Sequence, residues 1–191
     1  LLSCWGVVAS ATILPSGAVS LAGEVDVLRD LDGRLSVHDL QNPDISRRFV
    51  RLPDQPSLGY IDGAVWLRIT LTRPENSSRN WWLEIRAPLL DEVKLFIPQP
   101  QGDFIVRSAG TEHPFSERDI PYRNPIFSLE LPEDSSQIFY LRIQGNNNMA
   151  ISLIAFTPAA FAAHMNADAL MIGLYVAVHL VVMINSLWLY R

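Results

Sequence analysis

Cysteine is almost absent, because Cys4 is the only one in 191 residues. A chain with one cysteine cannot form an internal disulfide, so its fold depends on packing alone. The histidines are scattered and show no metal-ligand spacing. The sequence also lacks a glycine-rich phosphate loop and a serine in a nucleophile-elbow motif. We therefore expect no catalytic residue, no metal and no cofactor.

Charge is absent from both ends of the chain. Residues 1–23 and 169–190 contain no Asp, Glu, Lys or Arg. Between them lie all 20 acidic residues and all of the basic residues except Arg191. Acidic residues outnumber basic ones in this middle region, and the resulting negative charge would repel phosphate, which excludes a nucleic-acid-binding module. A hydrophobic share of 49% excludes a disordered chain. The pattern indicates a soluble domain between two apolar segments.

The apolar segment 169–190 is long enough to cross a bilayer as a helix. Trp188 and Tyr190 lie at one end, as interfacial aromatic residues do, and the basic Arg191 follows. A basic flank predicts a cytoplasmic C-terminus, with the lipid bilayer as a partner. His179 and Asn185 are polar within the span, so we expect sister transmembrane helices beside it. The alternative is a buried helix of a soluble domain.

The segment 1–22 has the length and composition of a signal peptide, with Ser20-Leu21-Ala22 as a small-x-small cleavage pattern. Ser16-Gly17-Ala18 is a second candidate. A basic start and an initiator methionine are missing, so we expect that the front is clipped. These boundaries predict a β-sandwich domain over 23–160 and a linker over 161–168.

Between these segments the sequence shows short alternating runs and no helical pattern. Turn residues separate eight to ten such runs, which is typical of an antiparallel jelly-roll sandwich. The alternation assigns one face of each run to the core between two sheets. The clearest predicted strands are 64–72, 80–87, 92–98, 126–131 and 137–144. The predicted core rows are Leu67, Ile69 and Leu71; Leu83 and Ile85; Val93, Leu95 and Ile97; Phe127, Leu129 and Leu131; and Phe139, Leu141 and Ile143.

The opposite faces of the same strands combine aromatic rings with charges of both signs. Rings stack on the C–H faces of sugars, and charged groups form hydrogen bonds with hydroxyls, so this composition predicts a carbohydrate or glycan ligand. The candidate ligand residues on the strands are Trp66, Arg68, Trp82, Glu84, Tyr140 and Arg142. The alternative is a solvated sheet face with cross-strand pairs such as Arg68–Glu84. Glycoside hydrolysis is disfavoured because basic neighbours neutralise the carboxylates of Glu84 and Glu130.

The proline-rich segment 113–125 is too long for a hairpin turn. It contributes two further candidate ligand residues, Arg118 and Arg123, and could close over one end of the ligand face. The alternative is a loop that covers a sheet edge.

Several short motifs, in collinear order, resemble a known family. They are Ser57-Leu58-Gly59-Tyr60, Val65-Trp66-Leu67-Arg68, Trp82-Leu83-Glu84-Ile85, Pro88-Leu89-Leu90-Asp91-Glu92-Val93, Pro114-Phe115-Ser116-Glu117-Arg118, Asn124-Pro125-Ile126-Phe127, Tyr140-Leu141-Arg142 and Pro158-Ala159-Ala160-Phe161. In this order they resemble the type 2 extracellular domain of the bacterial seven-transmembrane receptors with diverse intracellular signalling modules. The run from Gly173 to Tyr190 resembles the first membrane helix of that family.

The resemblance implies a periplasmic jelly-roll domain similar to carbohydrate-binding modules, on a protein of the bacterial inner membrane. Six further membrane helices and a cytoplasmic output module, such as a diguanylate cyclase or a histidine kinase, would follow, and none of them is in this chain. The expected function is ligand sensing for a signalling receptor, without enzymatic activity in the chain itself. The alternative is a protein-interaction or homodimerisation module with no small ligand.

Overall fold

The computed structural model describes residues 12–52, 63–87, 90–133, 135–145 and 151–190. Within these ranges the chain forms short strands and then one long helix. The strands are β1 Thr12–Ile13, β2 Ala18–Ser20, β3 Val25–Asp30, β4 Val50–Arg51, β5 Ala64–Thr72, β6 Asn80–Arg86, β7 Glu92–Pro98, β8 Phe104–Ala109, β9 Ile126–Glu130, β10 Ser136–Gln144 and β11 Ser152–Phe156. The helices are α1 Pro43–Ser46 and α2 Pro158–Leu189, with 3-10 turns at Asp39–Gln41 and Phe115–Glu117.

The strands form two sheets that pack face to face. The first sheet has the order β4-β3-β5-β10-β7-β8, and β1 pairs in parallel with the end of β5 that β3 leaves open. The second sheet has the order β2-β11-β6-β9. Neighbouring strands along these two orders are antiparallel. The predicted all-β sandwich followed by one apolar helix is confirmed.

The core between the sheets contains the predicted alternating rows. Leu67, Ile69 and Leu71 of β5 are buried there, together with Leu83 and Ile85 of β6. The rows from β9 and β10 are also buried, and only Ile97 of the β7 row is partly buried. Each fully buried side chain of this size stabilises the fold by about 1.5–3 kcal/mol. Alternation was sufficient to find this core because each strand has one face toward it.

Strand β5 is buried on both faces because a second layer covers the first sheet. Residues 31–49, here called the cover segment, cross the outer face of that sheet and include α1. Their apolar side chains form a second core with Trp66, Phe96 and Tyr140. Asn42 caps α1 by accepting a hydrogen bond from the backbone N–H of Asp44. The sequence showed no helical pattern here, because four helical residues are too few to produce one.

Residues 12–22 belong to the sandwich. Strand β1 pairs with β5, β2 pairs with β11, and Leu14 and Leu21 are fully buried in the core. Cleavage after Ala22 or after Ala18 would remove at least one of these leucines. The signal-peptide boundary stays a prediction, and residues 1–11 lie outside the described residues.

Helix α2 begins at Pro158, and the predicted linker 161–168 is helical. Thr157 caps its first turn by accepting a hydrogen bond from the backbone N–H of Ala160, and proline suits the first helical position. The apolar residues from 169 onward are exposed on every side. Among the described residues α2 is the one helix that is long and apolar enough to cross a membrane, with a mean hydropathy of 2.1. The alternative of a helix buried beneath the sheets is wrong.

Candidate functional site

The predicted ligand residues lie in two groups on opposite outer faces of the sandwich. Trp66, Arg68, Tyr140 and Arg142 are on β5 and β10 of the first sheet, whereas Trp82 and Glu84 are on β6 of the second sheet. Arg118 and Arg123, in the loop before β9, lie with the second group. The prediction of one shared face was therefore wrong. Alternation assigns a face within a strand, but it does not say to which sheet the strand belongs.

The first group lies largely beneath the cover segment. Trp66 is only 1% exposed, and its Nε1 donates a hydrogen bond of 3.3 Å to the Oδ2 atom of Asp30. Its ring packs 5.2 Å from that of Phe96. Tyr140 is similarly buried near Phe49 and Phe104, and this burial raises the pKa of its phenol, while the nearby Arg68 opposes the rise.

The two arginines of this group fasten the cover segment to the sheet. Arg68 forms an ion pair with Asp26 at 3.0 Å, and its Nη1 donates to the Oγ atom of Ser46 in the cover segment at 2.9 Å. Arg142 donates to Glu92 Oε2 and to the backbone carbonyl of Gly33. The predicted alternative pair Arg68–Glu84 does not form, because the two residues are on different sheets.

The second group holds the first turns of α2 against the outer face of the second sheet. We call this arrangement the helix clamp: Trp82, Glu84, Arg86, Tyr122 and Arg123 of the sandwich, with Phe161, His164 and Asp168 of α2. Phe161 is 0% exposed. Its ring centroid lies 5.3 Å from that of Trp82, 5.1 Å from that of Tyr122 and 5.5 Å from that of Phe156. Edge-to-face packing of this kind fixes the position of the helix.

A buried carboxylate supports the polar side of the clamp. Glu84 is fully buried, and it accepts hydrogen bonds from Arg86 Nε at 3.0 Å and from Asn124 Nδ2 at 2.7 Å. Arg86 Nη2 lies 3.2 Å from His164 Nε2. Because a guanidinium can only donate, the Nε2 atom of His164 is the acceptor in this contact. The ring of His164 also stacks on that of Phe156.

Asp168 joins the next turn of α2 to the loop before β9. Its Oδ2 atom accepts from Arg123 Nη2 at 2.6 Å and from the Tyr122 hydroxyl at 3.2 Å. Burial raises the pKa of Tyr122, and the Arg123 charge opposes this rise. Arg118 donates to the backbone carbonyls of Tyr122 and Arg123, which shapes the loop. The loop 113–125 was predicted to close over the ligand face, but its Tyr122 and Arg123 contact α2.

Sequence reasoning missed the three residues on the helix side of the clamp. Phe161, His164 and Asp168 are spaced by three and four positions, which places them on one face of a helix. This spacing was a usable signal, but it fell in the segment assigned to a linker.

Ring contacts and hydrogen bonds connect the clamp residues of the sandwich to those of α2. A movement of the sandwich strands would therefore move the first turns of the helix. Among the described residues, no group of three His, Cys, Asp or Glu side chains could hold a metal ion. Whether the eight predicted residues contact a ligand stays a prediction, although their burial makes direct contact unfavourable for Trp66 and Glu84.

Comparison with known proteins identifies the class of this domain. No curated protein matches the chain. The sequence model of one family, described as 7TMR-DISM extracellular 2, matches residues 22–157. The match covers most of the sandwich and ends at the residue before α2. This match, with a β-sandwich clamped to a helix fit to span a membrane, shows that the chain belongs to the 7TMR-DISM extracellular 2 family of membrane receptor domains.

Proposed function

We propose that the chain is the periplasmic ligand-sensing part of a receptor in the bacterial inner membrane. The sandwich lies in the periplasm, α2 is the first of seven membrane helices, and the C-terminus enters the cytoplasm. A cytoplasmic output module receives the signal. The observation that carries the proposal is the helix clamp, because it joins the sensing fold to the membrane helix through packed and charged groups.

The relay follows from the geometry of the clamp. Phe161 is enclosed by rings from β6, β11 and the loop before β9, so a shift of these elements displaces the base of α2. Arg123 and Asp168 extend the contact for two further turns. A ligand shifts such a receptor only through its different affinities for two positions of the helix. We propose a carbohydrate-like ligand, which is supported by the sandwich fold and by an open cleft described in the next subsection.

Distance measurements in lipid nanodiscs test the relay. Spin labels are placed at Glu75→Cys in the sandwich and at Asn166→Cys on α2, with Cys4 replaced by serine. Both label positions are exposed. A clamped helix gives one narrow distance distribution, and Phe161→Ala broadens it because the enclosed ring is lost.

Leu170→Ala is the matched control, because Leu170 is on the same helix and is exposed. This variant keeps the narrow distribution. A broad distribution in the unmodified chain, or equal broadening by both variants, contradicts the proposed relay.

A second candidate function is homodimerisation, which one observation favours. Strand β8 is an edge of the first sheet, and its Ile105 and Val106 are about half exposed. Exposed apolar edge strands tend to pair with another chain. Light scattering of the full chain in detergent distinguishes the two functions. A dimer that Val106→Lys dissociates, with no small ligand bound, supports this candidate.

A further inference from the structure

The first sheet opens at the start of β10, where the pairing of β10 with β7 stops. Strand β10 pairs with β5 along its whole length, but its pairing with β7 stops at Tyr140 opposite Phe96. Beyond Phe96, β7 ends at Pro98 and Pro100 follows, and proline has no N–H to donate to a ladder. The two strands therefore separate, and within the described part of the chain residues 136–139 of β10 have no paired neighbour on the β7 side.

This separation creates a cleft on the outer side of the sheet. The cleft has a volume of about 470 Å³, which is within the range of small-molecule sites. Its walls come from the turn after β7, from the start of β10 and from the cover segment. A second opening of about 680 Å³ lies on the inner side of the same separation, and Gln137 lines both.

The described residues that line the outer cleft are all uncharged. Gln41, Gln99 and Gln137 supply amides, each with a donor and an acceptor, and Ser136 supplies a hydroxyl. The rings of Phe104 and Tyr140 supply flat apolar surface. Among the described residues, the buried Oε1 atom of Gln137 has no hydrogen-bond partner, so it can accept a hydrogen bond from a ligand hydroxyl.

The charges nearby do not favour an anionic ligand. In the inner opening Arg73 pairs with Glu133, Arg79 with Glu130 and Arg107 with Asp119. Each arginine is thus neutralised by a carboxylate of the chain. Amides, one hydroxyl and rings match a ligand that presents many neutral hydroxyls and C–H faces.

We infer that the separation between β7 and β10 binds a neutral saccharide, with Gln41 and Gln99 bonding its hydroxyls and Phe104 and Tyr140 facing its ring. This inference rests on the proposed sensing function and names its ligand class and site. It places the ligand on the outer face of the first sheet, whereas the helix clamp lies on the outer face of the second sheet.

A glycan array that carries neutral and acidic oligosaccharides, probed with the full chain in nanodiscs, tests the inference. We expect binding to neutral glycans, and a loss of affinity of about tenfold or more in Gln41→Ala/Gln99→Ala, because two hydrogen bonds are removed. Gln101→Ala is the matched control: it changes an exposed amide of the same turn that lines neither opening. The control keeps full binding.

Three results overturn the inference: no glycan binds, only acidic glycans bind, or the double variant binds neutral glycans as well as the control does. The distance measurement separates this failure from failure of the proposed function. A glycan that binds through Gln41 and Gln99 without changing the distance distribution supports the site and contradicts the relay. A periplasmic extract that changes the distribution equally in the double variant and in the control supports the relay and contradicts the site.

Discussion

At the residue scale, buried charge determines how firmly the cover segment is held. Arg68 and Asp26 are both about nine-tenths buried, and removal of one partner leaves the other as an uncompensated charge. Asp26 retains a second bond from Arg51 Nε at 2.6 Å. Removing one partner of a buried ion pair costs about 3–5 kcal/mol when the remaining charge has no other partner. The loss of Arg68 is therefore expected to cost less than this.

We expect Arg68→Ala to lower the free energy of unfolding by about 2–3 kcal/mol. The measurement is urea unfolding of the full chain in detergent, followed by tryptophan fluorescence. Arg47→Ala is the control, since its pair with Asp44 is exposed and contributes about 0–1 kcal/mol. Equal unfolding midpoints for the two variants would show that Arg68 is not buried as described.

Tyr140 predicts a dependence of stability on alkaline pH. Burial raises its pKa above the ordinary 10.0, so the unfolded chain releases this proton first. The stabilisation is complete below pH about 10 and is lost as the pH rises toward the folded pKa. Tyr140→Phe makes the alkaline decline of the unfolding free energy shallower. An identical decline in the variant and in the unmodified chain contradicts the burial of Tyr140.

Single residues also show why the candidate site could be predicted only in part. Trp66 and Trp82 have the same alternation, and each has a charged residue two positions later on the same face, Arg68 and Glu84, so sequence alone treats them alike. In the structure Trp66 lies beneath the cover segment, and Trp82 contacts α2. Burial beneath an irregular segment from elsewhere in the chain produces no periodic pattern in the strand sequence. The core rows were predictable because apolar residues alternate wherever one face of a strand packs on the opposite sheet.

At the element scale, the two N-terminal strands complete both sheets. Strand β1 extends the first sheet beside β5, and β2 forms an edge of the second sheet beside β11. Leu14 and Leu21 fill core positions, and loss of each leucine side chain from such a site costs about 2–5 kcal/mol.

A chain that starts at Gly23 is therefore expected to be much less stable than one that starts at Thr12. Thermal unfolding of the two chains, with α2 retained in both, measures the difference. Leu14→Ala in the longer chain is the matched control for the core contact and gives a smaller loss. Equal unfolding temperatures for the two starts would contradict a structural role for residues 12–22 and support the predicted boundary at Ala22.

Helix α2 shows what length and hydropathy can predict. Its apolar part was predictable because a charge-free run long enough to cross a bilayer is much longer than the usual core helix of a soluble domain. Its true start was not predictable, because residues 158–168 contain polar side chains that contact the sandwich. Helical spacing of Phe161, His164 and Asp168 identifies this contact only when the loop before β9 is known to face it.

At the scale of the whole molecule, the cleft and the clamp lie on opposite outer faces of one sandwich. A ligand at the cleft contacts β7 and β10 of the first sheet. The clamp residues Trp82 and Glu84 lie on β6 of the second sheet, and β7 follows β6 along the chain. The core between the sheets is closely packed, so a displacement of one sheet is passed to the other. The proposed function requires that the sandwich and the end of α2 lie on opposite sides of a membrane.

Cysteine labelling in intact bacterial cells tests that requirement most directly. With Cys4 replaced by serine, one chain carries Gln101→Cys in the exposed turn after β7, and another carries a cysteine added after Arg191. We expect a membrane-impermeant maleimide that enters the periplasm to label the first chain, and to label the second only after the inner membrane is opened. Labelling of both cysteines in intact cells, or of neither, contradicts a sensor domain held outside by a membrane-spanning α2.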